Sequence, residues 1–151
     1  MVALIDNPHG GFLISQIKQI SGRIFEKILA EKNIDAFNGP QGRILYILWN
    51  EDAIPIRELS KNTGLATTTL TSMLDRMEAA GLVTRTFDRD DRRKNLIVLT
   101  EKARTLKAAY DEVSSKMSEI FYQGFCGAEI SQIENYLVRI LKNLSEREIN
   151  K

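Results

Sequence analysis

The sequence predicts a mainly α-helical fold with a small β-hairpin, which is an α+β class. Three observations predict it. Apolar residues recur at helical spacing along both ends of the chain, and two short helices joined by a glycine turn occupy its middle. Two β-type runs, at 82–87 and 96–99, then flank a charged tip. Together these patterns predict six helices and a small sheet.

The first helix is predicted over residues 11–32, where a wide apolar stripe includes Leu13, Ile17 and Ile20. Asn38-Gly39-Pro40 then breaks the chain and starts a second helix, whose apolar run at 44–49 is typical of a core. The next residues, at 54–56, are predicted to be extended, because a residue that precedes proline avoids the helical region.

The middle of the chain has the layout of a helix-turn-helix. A short helix is predicted at 57–62, Gly64 ends it in the left-handed region, and a second helix follows at 67–80. Gly81 and Leu82 predict a Schellman ending for that helix. Its apolar residues fall at i, i+3, i+4 and i+7 and predict a buried stripe: Leu70, Met73, Leu74 and Met77.

Two further helices are predicted after the hairpin. Thr100 caps one that runs to about residue 122, and the last spans 128–147. The stripes of the terminal helices are too long for the middle of the chain to cover, so a homodimer is expected. The alternative is that the terminal helices pack on each other within a monomer. The candidate interface residues are Leu13, Ile17, Ile20, Ile133, Leu137, Ile140 and Leu144.

Length and composition fit one protomer over 1–151, in which the helix-turn-helix and the hairpin form one lobe at 40–100 and helical dimerisation regions lie at 10–35 and 101–150. The single cysteine, Cys126, excludes an internal disulfide and is expected to be a buried structural thiol. No apolar run is long enough to span a bilayer, so no membrane partner is expected. The N-terminus lacks a signal pattern, which predicts a cytoplasmic protein.

The excess of basic over acidic side chains lies in the middle third of the sequence. Residues 43–107 carry twelve basic and nine acidic side chains, whereas residues 1–42 are neutral and residues 108–151 have a net charge of −2. The net charge of +1 argues weakly against nucleic acid, but this distribution places any phosphate-binding surface in the middle third. A helix followed by a basic β-hairpin can contact two grooves of a duplex at once, so double-stranded DNA is the expected partner.

The helix at 67–80 has a hydroxyl-rich face opposite its apolar stripe. Short hydroxyl side chains can enter a major groove deeply and bond to phosphates or base edges. The alternative is an ordinary solvated face, although such a face more often holds Glu, Lys or Gln. The candidates for base contact are Thr67, Thr68, Thr71 and Ser72, and those for phosphate contact are Lys61 and Arg76.

The hairpin tip at 88–94 interleaves acids with basic residues. A narrow minor groove attracts inserted arginines, and an aspartate can orient a guanidinium. We therefore predict minor-groove contact by Arg92 and Arg93, with Asp91 as the orienting acid and Arg89 assisting. The alternative is a solvated loop of exposed ion pairs.

The stretch from Leu59 to Thr100 resembles the winged helix-turn-helix of MarR-type transcriptional regulators. The similar pieces are Glu58-Leu59, LDRMEAAGLVTR at 74–85, and DRR at 91–93 followed by VLT at 98–100. The resemblance implies a homodimer that binds a palindromic operator with a recognition helix in the major groove and a wing in the minor groove. It also implies a repressor that a small ligand or thiol oxidation releases. This chain has Ser72 where many members have arginine, which predicts modest base readout.

A small aromatic effector is a further candidate partner by the same resemblance. Phe37, Tyr46 and Trp49 could line its site or could equally be core residues. No catalytic constellation can be assembled, so the protein is not expected to be an enzyme. No metal or cofactor is expected, because His9 is the only histidine. A winged helix that binds another protein without specific DNA readout remains the alternative.

Overall fold

The computed structural model describes residues 7–91 and 95–149. Within them the chain forms two compact units, Met1–Ser115 and Lys116–Lys151. The helices are α1 (Gly10–Glu31), α2 (Gly39–Asn50), α3 (Ile56–Thr63), α4 (Thr67–Ala79), α5 (Glu101–Thr105), α6 (Lys107–Phe121) and α7 (Gly127–Ile149), and the strands are β1 (Ile54–Pro55), β2 (Val83–Phe87) and β3 (Asn95–Leu99). The predicted class, mainly helical with a small sheet, is confirmed.

The start of α2 is fixed by a reciprocal cap. The side chain of Asn38 accepts a hydrogen bond from the backbone N–H of Gln41 at 2.9 Å. Gln41 Oε1 in turn accepts from the N–H of Asn38 at 3.1 Å. This capping box, with proline in the first turn, confirms the helix start that was predicted at Asn38.

The turn between α3 and α4 depends on Gly64, whose φ of 77° lies in the left-handed region. Its N–H donates to the carbonyl of Ser60 at 2.9 Å. The hydroxyl of Ser60 donates to the carbonyl of Leu65 at 2.5 Å, which closes the turn from the other side. The predicted helix-turn-helix and its glycine are therefore confirmed.

A Schellman motif ends α4, as predicted. The N–H of Leu82 donates to the carbonyl of Met77 at 2.9 Å, and the N–H of Gly81 donates to that of Glu78 at 3.0 Å. Leu82 is buried directly after the turn, so β2 leaves the helix at a fixed angle.

The sheet is antiparallel, with the strand order β1-β3-β2. Its central strand, β3, pairs Ile97 with Ile54 on one side and with Arg85 on the other. The sequence predicted the extended segment at 54–56 but not its addition to the hairpin.

The core of the first unit lies between the helix-turn-helix and the sheet. It is made of apolar side chains from every element between α2 and β3, together with Ile28, Leu29, Phe37, Ala103 and Val113. The fully buried large side chains are Ile44, Leu45, Leu48, Leu59, Leu70, Leu74, Met77, Leu82, Val83, Ile97 and Val113. The predicted α4 stripe is buried as expected.

The single helix predicted after the hairpin is divided into α5 and α6 in the structure. Thr100 caps α5 by accepting from the N–H of Ala103 at 3.2 Å, as predicted, but regular helix is interrupted at Leu106. The hydroxyl of Thr105 donates to the carbonyl of Lys102 at 2.7 Å, and the N–H of Leu106 donates to the carbonyl of Ala103 at 3.1 Å. Both bonds span three residues, and such bonds tighten or bend an α-helix.

The prediction that Cys126 is buried is wrong, because its side chain is exposed. Cys126 directly precedes α7. Its carbonyl accepts from the N–H of Ile130, and its N–H donates to Glu129 Oε1 at 2.9 Å. The backbone N–H of Cys126 lowers the pKa of the Glu129 carboxyl. None of the described residues from 116 to 149 is buried, so the second unit offers no core that could enclose the thiol.

Candidate nucleic-acid interface

The outer face of α4 is exposed along its whole length. Its four predicted contact residues lie in solvent: Thr67, Thr68, Thr71 and Ser72. The opposite face supplies the buried stripe, so packing fixes which side of the helix looks outward. The hydroxyl of Thr71 donates to the carbonyl of Thr67 at 2.8 Å. Thr71 therefore offers a methyl group and an acceptor oxygen to a partner, whereas its hydroxyl proton is used within the helix.

The residues predicted to contact phosphates are also exposed. Lys61 on α3 and Arg76 on α4 are both exposed, as is Arg89 in the hairpin tip. Among the residues that the structure describes, none of the three forms an ion pair with an acidic side chain. Their charges are therefore available to phosphates.

Arg85 is one of the twelve basic residues counted in the middle third, but in the structure it holds the β2–β3 hairpin, the wing, against α4. One guanidinium nitrogen lies 2.9 Å from Asp75 Oδ1, and another lies 3.0 Å from Glu78 Oε1. The Arg85 side chain is 27% exposed, so both ion pairs are partly shielded from water. A planar guanidinium meets two carboxylates through separate nitrogens in a fixed fork, whereas a lysine ammonium presents one point charge without that fixed geometry. We call this three-residue cluster the wing clamp.

A signal for the wing clamp was present in the sequence. Asp75 and Glu78 are three residues apart and therefore share one edge of the helix. The Gly81 turn returns the chain along that edge, which brings Arg85 opposite the two acids. The count of charges over residues 43–107 concealed this pairing, because a count does not say which charges neutralise each other.

Asp52 fixes β3, the other strand of the hairpin, through a contact that the sequence did not predict. Asp52 Oδ1 accepts from the N–H of Leu99 at 2.9 Å and from that of Ala53 at 2.8 Å. Asp52 Oδ2 lies 3.1 Å from a guanidinium nitrogen of Arg104, which also pairs with Glu101. The bond to Asp52 raises the pKa of Arg104. Asp52 thus ties the end of β3 to the end of α2 and to α5.

The wing tip is described only as far as Asp91. The carboxylate of Asp88 accepts from the N–H of Asp90 at 2.9 Å, which starts the turn. Arg89 is exposed and Asp91 is half-buried. Arg92 and Arg93, the predicted minor-groove contacts, lie outside the described residues, so the pairing of Arg93 with Asp91 stays a prediction.

Four aromatic rings surround Tyr110 in the first unit. Trp49 and Tyr46 lie 5.2 Å and 5.9 Å from its ring centroid, and Phe37 and Phe25 lie 6.1 Å and 6.2 Å from it. Trp49 Nε1 donates to the carbonyl of Ala103 at 3.1 Å. Burial raises the pKa of the Tyr110 phenol. Phe37 is buried, whereas Tyr46 is exposed, so only part of the cluster is core.

Two absences hold for the described part of the chain. Residues 7–91 and 95–149 contain no cluster of His, Cys, Asp or Glu side chains with the placement that a metal ion needs. No helix among these residues has the length and apolar character of a membrane span.

Comparison with known proteins identifies the family. The model of the MarR family matches residues 37–94. The transcriptional regulator TtmR of Methylorubrum extorquens (strain PA1) is 38% identical over 90 residues, which are 60% of this chain and 45% of that protein. The chain thus spans less than half the length of TtmR. The organic hydroperoxide resistance transcriptional regulator of Bacillus subtilis (strain 168) is 31% identical over 108 residues, 72% of each protein.

A solved structure shows the same fold. It is a mutant of MarR from E. coli in complex with operator DNA, with a TM-score of 0.77 and 24% identity over 87% of this chain and 92% of that chain. The family match and the Bacillus relative show that this chain belongs to the MarR family of DNA-binding transcription regulators, which are not enzymes.

Proposed function

We propose that the protein acts as a homodimer on a palindromic operator, with α4 in the major groove and the wing in the adjacent minor groove. The observation that carries this proposal is the wing clamp. It joins the edge of the hydroxyl face of α4 to β2 through two ion pairs of 2.9 and 3.0 Å. One rigid lobe therefore presents a helix and a hairpin at a fixed separation, which suits simultaneous contact with two grooves.

The recognition helix reads DNA with short side chains. Thr67, Thr68, Thr71 and Ser72 meet bases or nearby phosphates, and their small size lets the helix backbone approach the groove floor. Lys61 and Arg76 neutralise flanking phosphates. Because Ser72 cannot make a bidentate contact with guanine, phosphate contacts and groove shape carry a large part of the affinity.

The wing supplies the minor-groove contacts. Arg92 and Arg93 enter the groove, Asp91 orients the guanidinium of Arg93, and Arg89 assists from the exposed tip. The support is the position of the tip, since residues 88–91 directly extend the clamped strand β2.

Dimerisation is supported by apolar side chains that the protomer leaves in solvent. On α1, Leu13, Ile17 and Ile20 are 51%, 45% and 47% exposed, although Ile28 and Leu29 near the other end of the same helix are buried. The half of α1 that bears the exposed stripe therefore has a partner outside the described protomer.

The exposed apolar residues of α7 support dimerisation more strongly than those of α1. α7 has no buried residue, yet Ile133, Leu137, Ile140 and Leu144 repeat at helical spacing along it. An amphipathic helix is stable mainly through packing of its apolar face. A second copy of the chain supplies that packing, and the two recognition helices then lie about 34–36 Å apart.

Selection of duplexes from a random pool tests these points together. The expected product is a palindrome whose half-sites are centred about one helical turn apart. Light scattering of the free protein should give twice the protomer mass. A monomer in solution, or selected duplexes without two-fold symmetry, would contradict the dimeric operator complex.

Salt titration separates DNA binding from a role in protein assembly. Affinity for the selected duplex should fall linearly on a log–log plot as salt rises, with a slope that counts the neutralised phosphates. Lys61→Ala should reduce the slope by about one. Binding that does not respond to salt would favour the winged helix as a protein-binding module.

Repression in the cytoplasm and release by a small aromatic effector complete the proposal. The support for an effector is the aromatic cluster, in which the exposed Tyr46 lies against Tyr110. Thermal denaturation in the presence of aromatic acids tests it, because a ligand that binds the folded state raises the midpoint. An operator-fused reporter that falls when the protein is absent would identify an activator instead.

A further inference from the structure

Phe87 is the most exposed large apolar side chain in the DNA-binding lobe. It ends β2 with 65% of its surface in solvent. The other large apolar residues of the hairpin that the structure describes are buried or half-buried: Leu82, Val83, Leu96, Ile97, Val98 and Leu99. Among the described residues 39–105 only Tyr46 is comparably exposed, and Tyr46 packs against Tyr110. The hairpin therefore presents one aromatic ring that the protomer does not cover.

Strand geometry fixes the direction in which Phe87 projects. Side chains two residues apart lie on the same face of a strand, so Phe87 shares its face with Arg85 and Val83. Arg85 reaches α4 through the wing clamp, so this face looks toward the recognition helix. Phe87 lies about 7 Å beyond Arg85 toward the tip, a spacing of two residues along an antiparallel strand.

We propose that Phe87 is an apolar DNA contact, in which the ring packs on the deoxyribose wall of the minor groove beside the wing tip. The inference deepens the proposed operator binding and depends on it. Apolar side chains on minor-groove elements contact sugars and base steps in this way. Phe87 adds a salt-independent contribution to an interface that is otherwise polar and cationic.

Two observations favour DNA over a protein partner at this position. Phe87 is continuous with the proposed DNA surface, because its strand carries the wing clamp and leads directly into the exposed Arg89. It is also isolated, since its cross-strand partner is the polar Asn95 and its neighbours are Thr86 and Asp88. A single ring among polar residues is smaller than the contiguous patches that bind proteins.

Salt dependence gives this contact a signature that a cationic contact lacks. An apolar contact releases no counterions, so its loss shifts affinity equally at every salt concentration. Phe87→Ala should bind the parent-selected duplex about tenfold more weakly than the parent protein does. A change of this size is expected if DNA covers about half of the exposed ring surface. Its slope against salt should equal that of the parent, whereas Lys61→Ala should lower the slope.

The experiment is fluorescence anisotropy of a labelled duplex, selected by the parent, against Phe87→Ala, Phe87→Leu and Thr86→Ala across a salt series. Phe87→Leu should recover most of the affinity. Thr86→Ala is the matched control, because Thr86 is exposed on the opposite face of the same strand and should bind as the parent does. The thermal midpoint of Phe87→Ala should stay at the parental value, since the ring is exposed.

The outcomes separate this inference from the proposed function. Parental affinity in Phe87→Ala, or a reduced salt slope, overturns the apolar contact while leaving operator binding intact. Equal loss in Thr86→Ala overturns the assignment of the two faces. Failure of the parent to bind any duplex in a salt-dependent manner overturns the proposed function itself.

Discussion

Replacing Arg85 by alanine should weaken DNA binding strongly while lowering the stability of the fold only slightly. The substitution removes both ion pairs of the wing clamp, at 2.9 Å to Asp75 and 3.0 Å to Glu78. These acids are 63% and 43% exposed, so water solvates them once the guanidinium is gone. Exposed pairs contribute about 0.2–1 kcal/mol each, and the free energy of unfolding should therefore fall by only about 1 kcal/mol. The thermal midpoint should drop by about 2–4 °C.

The effect of Arg85→Ala on operator affinity should be larger than its effect on folding. Without the wing clamp, β2 no longer holds the tip at a fixed position relative to α4, and the wing must be ordered when DNA binds. We expect about tenfold weaker binding, comparable to the loss of one arginine contact. The slope against salt should fall by about one for each wing cation that no longer reaches the duplex.

Anisotropy across a salt series, with thermal denaturation of the same samples, measures both quantities. Arg85→Lys is the matched variant. Lysine keeps the positive charge but lacks the fixed guanidinium fork that meets both acids, so it should restore only part of the affinity. Parental affinity and slope in a folded Arg85→Ala would refute the reasoning. So would a loss of affinity that a fall in the folded fraction fully accounts for.

Three further predictions concern the assembly and the aromatic cluster. Leu137→Glu should give a monomer by light scattering and weaken operator binding, and a dimer that persists would remove α7 from the interface. Gly42→Ala should lower stability by about 1–3 kcal/mol in chemical denaturation, because a Cβ there would lie 3.0 Å from the Tyr110 ring and 3.3 Å from Phe37; parental stability would show that both rings move aside. Absorbance titration should show Tyr110 ionising above the usual pKa of about 10, and stability that is complete below that pH should be lost as pH rises through the raised value. Tyr110→Phe should remove that step, and an unchanged titration curve would count against the assignment.

The sequence predicts the helix-turn-helix well because its determinants are local. The buried stripe of α4 follows from spacing at i, i+3, i+4 and i+7, and the Schellman ending follows from Gly81 before Leu82. The start of α2 is likewise marked locally, because Asn38 and Gln41 three residues later have the spacing of a capping box. Each of these signals lies within about two helical turns of the feature that it specifies.

The features that the sequence missed depend on contacts between distant residues. Asp52 meets Leu99 and Arg104, which are 47 and 52 positions away, and no periodicity indicates such pairs. The exposure of Cys126 could not be predicted from residue type, because cysteine is buried only where a unit has a core. The second unit has none of its own among the described residues.

The wing clamp can act on DNA binding by geometry or by charge, and the structure allows the two to be separated. Asp75 and Glu78 lie at the edge of the face that we propose meets phosphates. On that proposal Arg85 both positions the wing and neutralises two acids that would repel DNA. In Arg85→Ala both effects are lost together. The triple variant Arg85→Ala, Asp75→Asn, Glu78→Gln removes the clamp without leaving negative charge behind. If the triple variant regains the parental affinity, neutralisation is the role of Arg85, whereas a persistent loss with a reduced salt slope means that the clamp holds the wing cations in position for the minor groove.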